Sequence, residues 1–139
     1  MGETLYSNNM VLKKEFQNVN FTLGPNLQIG LLKLPTDENG NISEVSGGAY
    51  LRVTVPRNDT NWHIDSNGQI INANDIVFNK AALDWGEIAG IFITDNLSPT
   101  KPLYYHNFTE KIFIKESATL TLKAGTIKIG RKEEVKGWA

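Results

Sequence analysis

The segment Phe78–Asp95, Phe-Asn-Lys-Ala-Ala-Leu-Asp-Trp-Gly-Glu-Ile-Ala-Gly-Ile-Phe-Ile-Thr-Asp, carries the strongest fold signal in the chain. Its second half, Ile88 to Thr94, is the most apolar strand-like stretch of the sequence. The preceding tripeptide Asp84-Trp85-Gly86 is typical of a turn, because the aspartate can bond nearby backbone, the glycine permits a positive φ and the indole offers a large surface to bury. This segment therefore predicts a loop that closes one end of a β-core and leads into a buried strand.

Composition restricts the class of protein. The chain has 139 residues, which is the size of one domain that can bury a core without covalent staples. It has no cysteine, so disulfides and thiolate metal sites are excluded. A net charge of -1 gives no long-range attraction to nucleic acid or to an anionic membrane, and no apolar run approaches the ~20 residues that span a bilayer. We expect neither nucleic acid nor membrane as a partner.

Short strand signals recur along the chain at roughly 8–12-residue spacing, with turn residues between them. The first has Leu27, Ile29 and Leu31 at period two, and in the second Leu51, Val53 and Val55 point one way. This spacing, without βα alternation, predicts a mainly β fold, an antiparallel β-sandwich that resembles a jelly roll. The predicted strands are 26–34, 49–56, 69–71, 76–78, 88–94, 103–108, 111–115, 119–122 and 126–129.

One short N-terminal helix is predicted over residues 7–18. Ser7 is a candidate N-cap, and Leu5, Leu12 and Phe16 lie near one face. Three turns are marginal alone, so the helix must dock, either on its own domain or as an arm on a neighbouring subunit. Residues 1–130 form the expected domain, and residues 131–139 form a charged tail that contains Trp138.

Catalytic and metal-binding patterns give no convincing site, and we expect neither an enzyme nor a cofactor. His63 and His106 lack the gathered ligands that a metal site requires. The segment 37–41 resembles the start of a calcium loop, but Gly48 stands where that loop requires a bidentate glutamate, so a solvated hairpin tip is the better interpretation. Asp84 and Asp95 are expected at opposite ends of one strand, too far apart for a glycosidase pair.

Four aromatic residues are the ones that the expected core explains least. Trp62 lies in a predicted polar loop, Tyr104 and Tyr105 begin a strand, and Trp138 lies in the tail. If exposed, such side chains stack on sugars or anchor an interface. We therefore predict partner contacts at Leu5, Leu12, Trp62, Tyr104, Tyr105 and Trp138, with Trp138 as the best single indication of a contact with another chain.

Several segments together resemble a family of small bacteriophage virion proteins, often described as tail-fibre proteins. The segments occur in the family's order over about residues 10 to 130, and Ala49 and the turn 116–118 depart from its glycine-containing pattern. The resembling segments are Asn26-Leu27-Gln28-Ile29-Gly30-Leu31-Leu32, Glu44-Val45-Ser46-Gly47-Gly48-Ala49-Tyr50-Leu51-Arg52, Asp84-Trp85-Gly86-Glu87-Ile88 with the strand after it, and Leu122-Lys123-Ala124-Gly125-Thr126-Ile127-Lys128-Ile129.

This resemblance implies a non-enzymatic β-sandwich built into a phage particle after synthesis in the host cytoplasm. The expected partners are other virion proteins (tail, collar or major capsid protein), with the chain present as a homo-oligomer or a many-copy lattice. A fibre or adaptor component at the tail or collar is the first expectation, and a capsid decoration protein is the second. A carbohydrate-binding module that uses Trp62, Tyr104 and Tyr105 on a host glycan is the third.

Overall fold

The computed structural model describes residues 1–130, which form one helix and ten strands. The mainly β prediction, a sandwich with one short N-terminal helix, is confirmed. The elements are β1 (Gly2–Glu3), α1 (Leu5–Gln17), β2 (Asn26–Leu32), β3 (Val53–Pro56), β4 (Trp62–Ile64), β5 (Gln69–Asn72), β6 (Ile76–Val77), β7 (Gly86–Asp95), β8 (Tyr104–Ile114), β9 (Thr121–Leu122) and β10 (Lys128–Gly130).

The largest sheet has five strands in the order β1-β8-β7-β2-β3, and every pair in it is antiparallel. Strand β7, the centre of the apolar segment quoted above, lies between β8 and β2, and every residue from Ile88 to Asp95 is buried. The expectation that this segment organises the fold is met. Gly86 has the positive φ that its turn requires, at 81°.

Two smaller sheets complete the sandwich, one of three strands in the order β10-β5-β4 and one formed by β6 and β9. A single hydrophobic cluster joins all three sheets, with Ile29 and Ile91 from the large sheet, Trp62 and Ile127 from the three-stranded side and Ile76 from the smallest sheet. Burial of this shared core is the main favourable contribution to folding.

Both faces of the large sheet are covered, so its strands do not show simple alternation. Phe92 lies on the face opposite the core and is fully buried. Its ring occupies the space where a side chain at position 30 would stand, and Gly30 leaves that space free. Arg52 belongs to the segment that follows the loop 33–48, and its guanidinium lies 4.9 Å from the centre of the Phe92 ring. This segment therefore covers the outer face of the sheet at Phe92. The sequence pattern predicted that β2 is buried on one face only, but its last four residues, Ile29 to Leu32, are all buried.

A polar clamp, defined as Glu44, Tyr50 and Arg52, holds that covering segment. The Arg52 Nε and Nη2 atoms each donate to a different Glu44 carboxylate oxygen at 2.9 Å, and the Tyr50 hydroxyl donates to Glu44 Oε2 at 2.6 Å. Burial, together with this hydrogen bond to Glu44, raises the pKa of the Tyr50 phenol above its ordinary value. Tyr50 also accepts from the Leu31 amide, which ties the clamp to β2.

Between the members of the clamp, three successive residues adopt left-handed backbone: Gly47, Gly48 and Ala49. The Gly48 carbonyl accepts from the Trp85 indole nitrogen at 2.8 Å and from the Ala82 amide at 2.8 Å. The two turn-rich segments that stood out in the sequence therefore meet in space. They contribute to the architecture of the domain.

Several sequence expectations are corrected by the structure. The helix begins at Leu5 and not at residue 7, because Thr4 is the N-cap and its hydroxyl accepts from the Ser7 amide. The strand predicted over 49–56 is β3, which begins only at Val53. Leu51 precedes it, is 67% exposed and does not share the inward face of Val53 and Val55. The separate strands predicted at 103–108 and 111–115 are the single strand β8, which has an irregular ladder.

Candidate functional site

Within residues 1–130, the hydrogen bonds and the buried residue that hold helix α1 on the domain lie at its beginning. The Thr4 hydroxyl donates to the Pro102 carbonyl at 2.6 Å, the Leu5 amide donates to the Glu38 carbonyl at 2.8 Å, and Ser7 is buried. From Leu12 to Asn20 every residue is exposed. The second half of the helix therefore extends from the domain as an arm and does not cover the end of its own sandwich. The helix is also too short and too polar to span a membrane.

Helix α1 carries an outward apolar stripe, defined as Leu5, Leu12 and Phe16, and the last two of these residues lie on the arm. At 3.6 residues per turn these positions lie within about 40° of one another around the helix. Their exposed fractions are 42%, 43% and 80%. The shared face expected for Leu5 and Leu12 is present, and it faces solvent. An apolar face of this kind on a short helix is typical of a surface that binds a partner.

The two tyrosines at the start of β8 are half-buried. Tyr105 pairs with Gly2 of β1, and a Cβ at Gly2 would lie 2.5 Å from the Tyr105 ring, so any side chain there would require the ring to shift. Tyr104 pairs with Glu3 on one side and Ile93 on the other, and it packs against the core. Both rings are partly exposed, and their contact with a partner stays a prediction.

Trp62 is placed differently from the expectation of an exposed aromatic in a polar loop. It begins β4, it is only 9% exposed, and it belongs to the core cluster. A three-residue strand is too short to show alternation, which is why the sequence pattern did not reveal it. Its indole nitrogen is buried, and it has no hydrogen-bond acceptor among residues 1–130.

One end of the sandwich holds a strongly apolar cavity of about 650 Å³ between the five-stranded and three-stranded sheets. On the three-stranded side, Ile64, Ile70 and Ile129 lie in one row, because Ile70 pairs with Ile64 of β4 and with Ile129 of β10. The facing wall includes Leu27 and Ile93. This volume is in the range of pockets that hold a drug-sized ligand. The sequence did not predict the cavity, since it depends on the register between short strands.

Buried core side chains close the inner end of the cavity, and its outer end is open to solvent. Two buried residues, Trp62 and Ile127, precede Ile64 and Ile129 by two positions each. Ile64 itself is 75% exposed. Polar residues lie at the rim, among them Arg57, Asp59 and His63. The open mouth therefore combines an apolar floor with a charged edge.

The candidate chemical residues are dispersed. His63 lies at the cavity rim, whereas His106 lies on β8 with its ring 5.8 Å from that of Phe108. Asp84 accepts from the Glu116 amide before β7, and Asp95 at the other end of β7 accepts from the Gly24 and Ser98 amides. Within residues 1–130 no group of three or more histidine, aspartate or glutamate side chains is placed to hold a metal ion.

The calcium-like segment is a local turn at the surface. The Asp37 carboxylate accepts from the Asn39 amide at 3.0 Å, and the Asp37 carbonyl accepts from the Gly40 amide at 3.0 Å. This is the hydrogen-bond pattern of an Asx turn. Trp138, the remaining predicted contact, lies in residues 131–139, outside the described part of the chain.

Comparison with known proteins gives one family. The family model described as "Gp80: Podophage GP4 fiber I protein gp80" matches residues 3–130, which include every described strand except the first residue of β1. No curated protein matches the chain.

Proposed function

The chain belongs to the podophage GP4 fiber I protein gp80 family, and from that premise we propose that it is a non-enzymatic fibre or adaptor component that docks on other virion proteins at the tail or collar. Membership of a phage fibre family makes the chain a virion structural protein. The finer proposal concerns how it attaches, and the observation that carries it is the outward stripe of α1, whose residues Leu12 and Phe16 lie on the exposed second half of the helix.

The stripe supports docking because an isolated helix of three turns is marginal in water. Within residues 1–130, Leu12 is 43% exposed and Phe16 is 80% exposed, so burial contributes little to the stability of the second half of the helix. A groove on a neighbouring virion protein would bury both side chains and order the arm. Helix-in-groove recognition of this kind uses apolar anchors spaced by about one helical turn.

The test places a charge on the stripe and, as a matched control, beside it. Phe16→Glu puts a carboxylate on the stripe, and Gln17→Glu adds the same charge one residue later, about 100° around the helix. Both positions are exposed, so both variants are expected to unfold at the same denaturant concentration as the unmodified chain. We expect Phe16→Glu to weaken docking by about 2 kcal/mol, roughly thirtyfold in affinity, and Gln17→Glu to have little effect.

The measurement is the number of copies per purified phage particle, determined by quantitative mass spectrometry. Equal incorporation of the two variants would refute docking through the stripe. Imaging of the same particles gives the location: a small number of copies at the neck or tail supports the proposal, whereas hundreds of copies over the shell would identify capsid decoration instead.

A further inference from the structure

Two apolar surfaces remain exposed in the part of the chain that the structure describes. On the stripe, Leu12 and Phe16 are 43% and 80% exposed, and at the mouth of the apolar cavity Ile64 is 75% exposed. Soluble proteins rarely leave apolar surface in contiguous patches unless another molecule covers it. The stripe is convex and the cavity is concave, so each surface can bury the other.

The cavity has room for two side chains of the stripe. Leu12 and Phe16 are separated by four positions, which is about 6 Å along the helix axis. The cavity volume of about 650 Å³ corresponds to a space about 9 Å across if it is equally wide in every direction. Its walls include Leu27, Ile70 and Ile93, so both anchors would lie against aliphatic side chains. Burial of such anchors supplies the affinity when a helix occupies a groove.

The charges beside the two surfaces are complementary. Successive helical residues are about 100° apart, so Lys13 and Glu15 lie on opposite flanks of Phe16. The rim of the cavity carries both Arg57 and Asp59. A helix that is seated with its lysine towards Asp59 and its glutamate towards Arg57 meets an opposite charge on each flank. Complementary charges of this kind fix the orientation of a docked helix more than they add affinity.

The start of helix α1 directs the stripe away from its own domain. The Thr4 amide donates to the Leu103 carbonyl at 3.0 Å. The Leu5 amide donates to the Glu38 carbonyl at 2.8 Å. Phe16 lies about 18 Å farther along the helix axis than Thr4, where every residue is exposed. To reach its own cavity, the stripe would have to leave these hydrogen bonds, whereas the cavity of a second copy can meet it as it stands.

We propose that the stripe of one copy docks in the apolar cavity of a second copy, with Leu12 and Phe16 between the five-stranded and three-stranded sheets. This inference rests on the proposed function, because it names the partner of the same stripe. The two surfaces are different patches of one chain, so each copy uses its stripe towards one neighbour and its cavity towards the other. Copies joined in this way form a ring where the rotation between neighbours closes, and a linear series where it does not.

The experiment mixes two variants that each lose one of the two surfaces. Phe16→Glu disrupts the stripe and Ile64→Glu places a charge at the mouth of the cavity, and both positions are exposed, so both variants should fold. Molar mass is measured by sedimentation at tens of micromolar protein. We expect the unmodified chain to form assemblies larger than a monomer and each variant alone to be monomeric. An equimolar mixture should form a dimer and nothing larger, because one intact stripe and one intact cavity remain to meet. The two variants should bind each other at least about tenfold more tightly than either binds itself.

Gln17→Glu and Val77→Glu are the matched controls. Each adds the same charge at an exposed position on the helix or on a strand, away from the stripe and the cavity. Both should associate as the unmodified chain does. A monomeric unmodified chain, a mixture that stays monomeric, or equal effects of a variant and its control would overturn the proposal. Association that is lost in Phe16→Glu but kept in Ile64→Glu would overturn it as well, since it would indicate contact between two stripes.

Particle incorporation separates this proposal from the one on which it rests. Loss of Phe16→Glu from particles, together with a monomeric unmodified chain, would overturn the second copy as partner and support docking on a different virion protein. Dimer formation in the mixture, together with normal incorporation of Phe16→Glu, would refute the proposed attachment and support the contact between copies.

Discussion

Removing the arginine of the polar clamp should destabilise the domain far more than removing a surface cation does. Arg52 makes a two-pronged contact with Glu44 at 2.9 Å, and its Nη1 atom also donates to the Pro99 carbonyl at 2.7 Å. The two charged side chains are only 18% and 25% exposed. Arg52→Met keeps an apolar side chain over Phe92 while it removes every one of these hydrogen bonds.

The expected cost follows from partial burial. Breaking a fully buried ion pair costs about 3–5 kcal/mol, and an exposed pair contributes about 0–1 kcal/mol. The Arg52–Glu44 pair lies nearer the buried limit, so we expect about 2–3 kcal/mol for Arg52→Met and about 1–2 kcal/mol for Glu44→Gln. Because the two residues contact each other, the double variant should cost less than the sum of the single variants, with a coupling free energy of about 1 kcal/mol or more.

Urea unfolding followed by tryptophan fluorescence measures these free energies. For a slope of about 1.5 kcal/mol per molar, the Arg52→Met midpoint should fall by roughly 1.3–2 M. The pair Lys111 and Glu87 provides the control cycle, since its N–O distance is 3.7 Å and its side chains are 45% and 62% exposed. We expect less than about 0.5 kcal/mol from each control variant. The reasoning fails if Arg52→Met costs no more than Lys111→Met, or if the Arg52–Glu44 coupling is zero within error.

Three further predictions concern the same domain. Gly48→Ala should cost about 2–4 kcal/mol in urea unfolding, because a Cβ there lies 2.9 Å from the Trp85 indole nitrogen at a φ of +57°. Gly47→Ala, with a similar φ but nothing within 4 Å, should cost only about 1 kcal/mol, so equal costs would contradict the steric argument. Because the pKa of Tyr50 is raised in the folded state, its contribution to stability is complete below the unfolded pKa of about 10 and is lost as the pH rises above that value. The free energy of unfolding of Tyr50→Phe should therefore fall less steeply than that of the unmodified chain between about pH 9 and 11.5. Asp95→Ala leaves one buried amide donor, that of Gly24, and one partly buried donor, that of Ser98, without their carboxylate and should cost about 2–4 kcal/mol; a cost below about 1 kcal/mol would show that water replaces the acceptor.

The sequence predicted the parts of the fold that depend on local pattern. The segment Ile88 to Thr94 is long and apolar enough to be recognised as a buried central strand, and Asp84-Trp85-Gly86 has residue types that a turn requires. The short strands β5 and β6 were also placed to within a residue at their ends. Each of these features is encoded within a few neighbouring residues.

What the sequence did not predict depends on contacts between distant segments. Trp62 is buried because β4 pairs with β5 and faces the large sheet, which no pattern in three residues can show. Phe92 and Leu32 are buried on the face of the sheet that alternation assigns to solvent, because a loop segment covers that face. The apolar cavity lies between two sheets, and one of its walls depends on the paired registers of Ile64, Ile70 and Ile129.

The helix shows the opposite case, in which the pattern was seen correctly and its orientation was left open. Leu5, Leu12 and Phe16 do share a face, but an apolar stripe fits an inner face and a partner surface equally well. The Thr4 cap and its hydrogen bond to Pro102 fix the rotation of the helix, and the stripe then points outwards. That contact spans almost a hundred residues of sequence and cannot be derived from local pattern.

The two edges of the five-stranded sheet carry features that disfavour pairing with a further strand. One edge is short and ends at Pro56, which has no amide to donate, and the other is covered at its start by β1. Farther along β8 its pairing with β7 is irregular. Ile88 pairs with Ile112 and Gly90 pairs with Asn107, so an advance of two residues on β7 corresponds to five residues on β8. Distorted, short or proline-bearing edges prevent open-ended strand addition. The large sheet is therefore poorly suited to strand addition at these edges, and attachment through it is left to side chains that recognise particular surfaces.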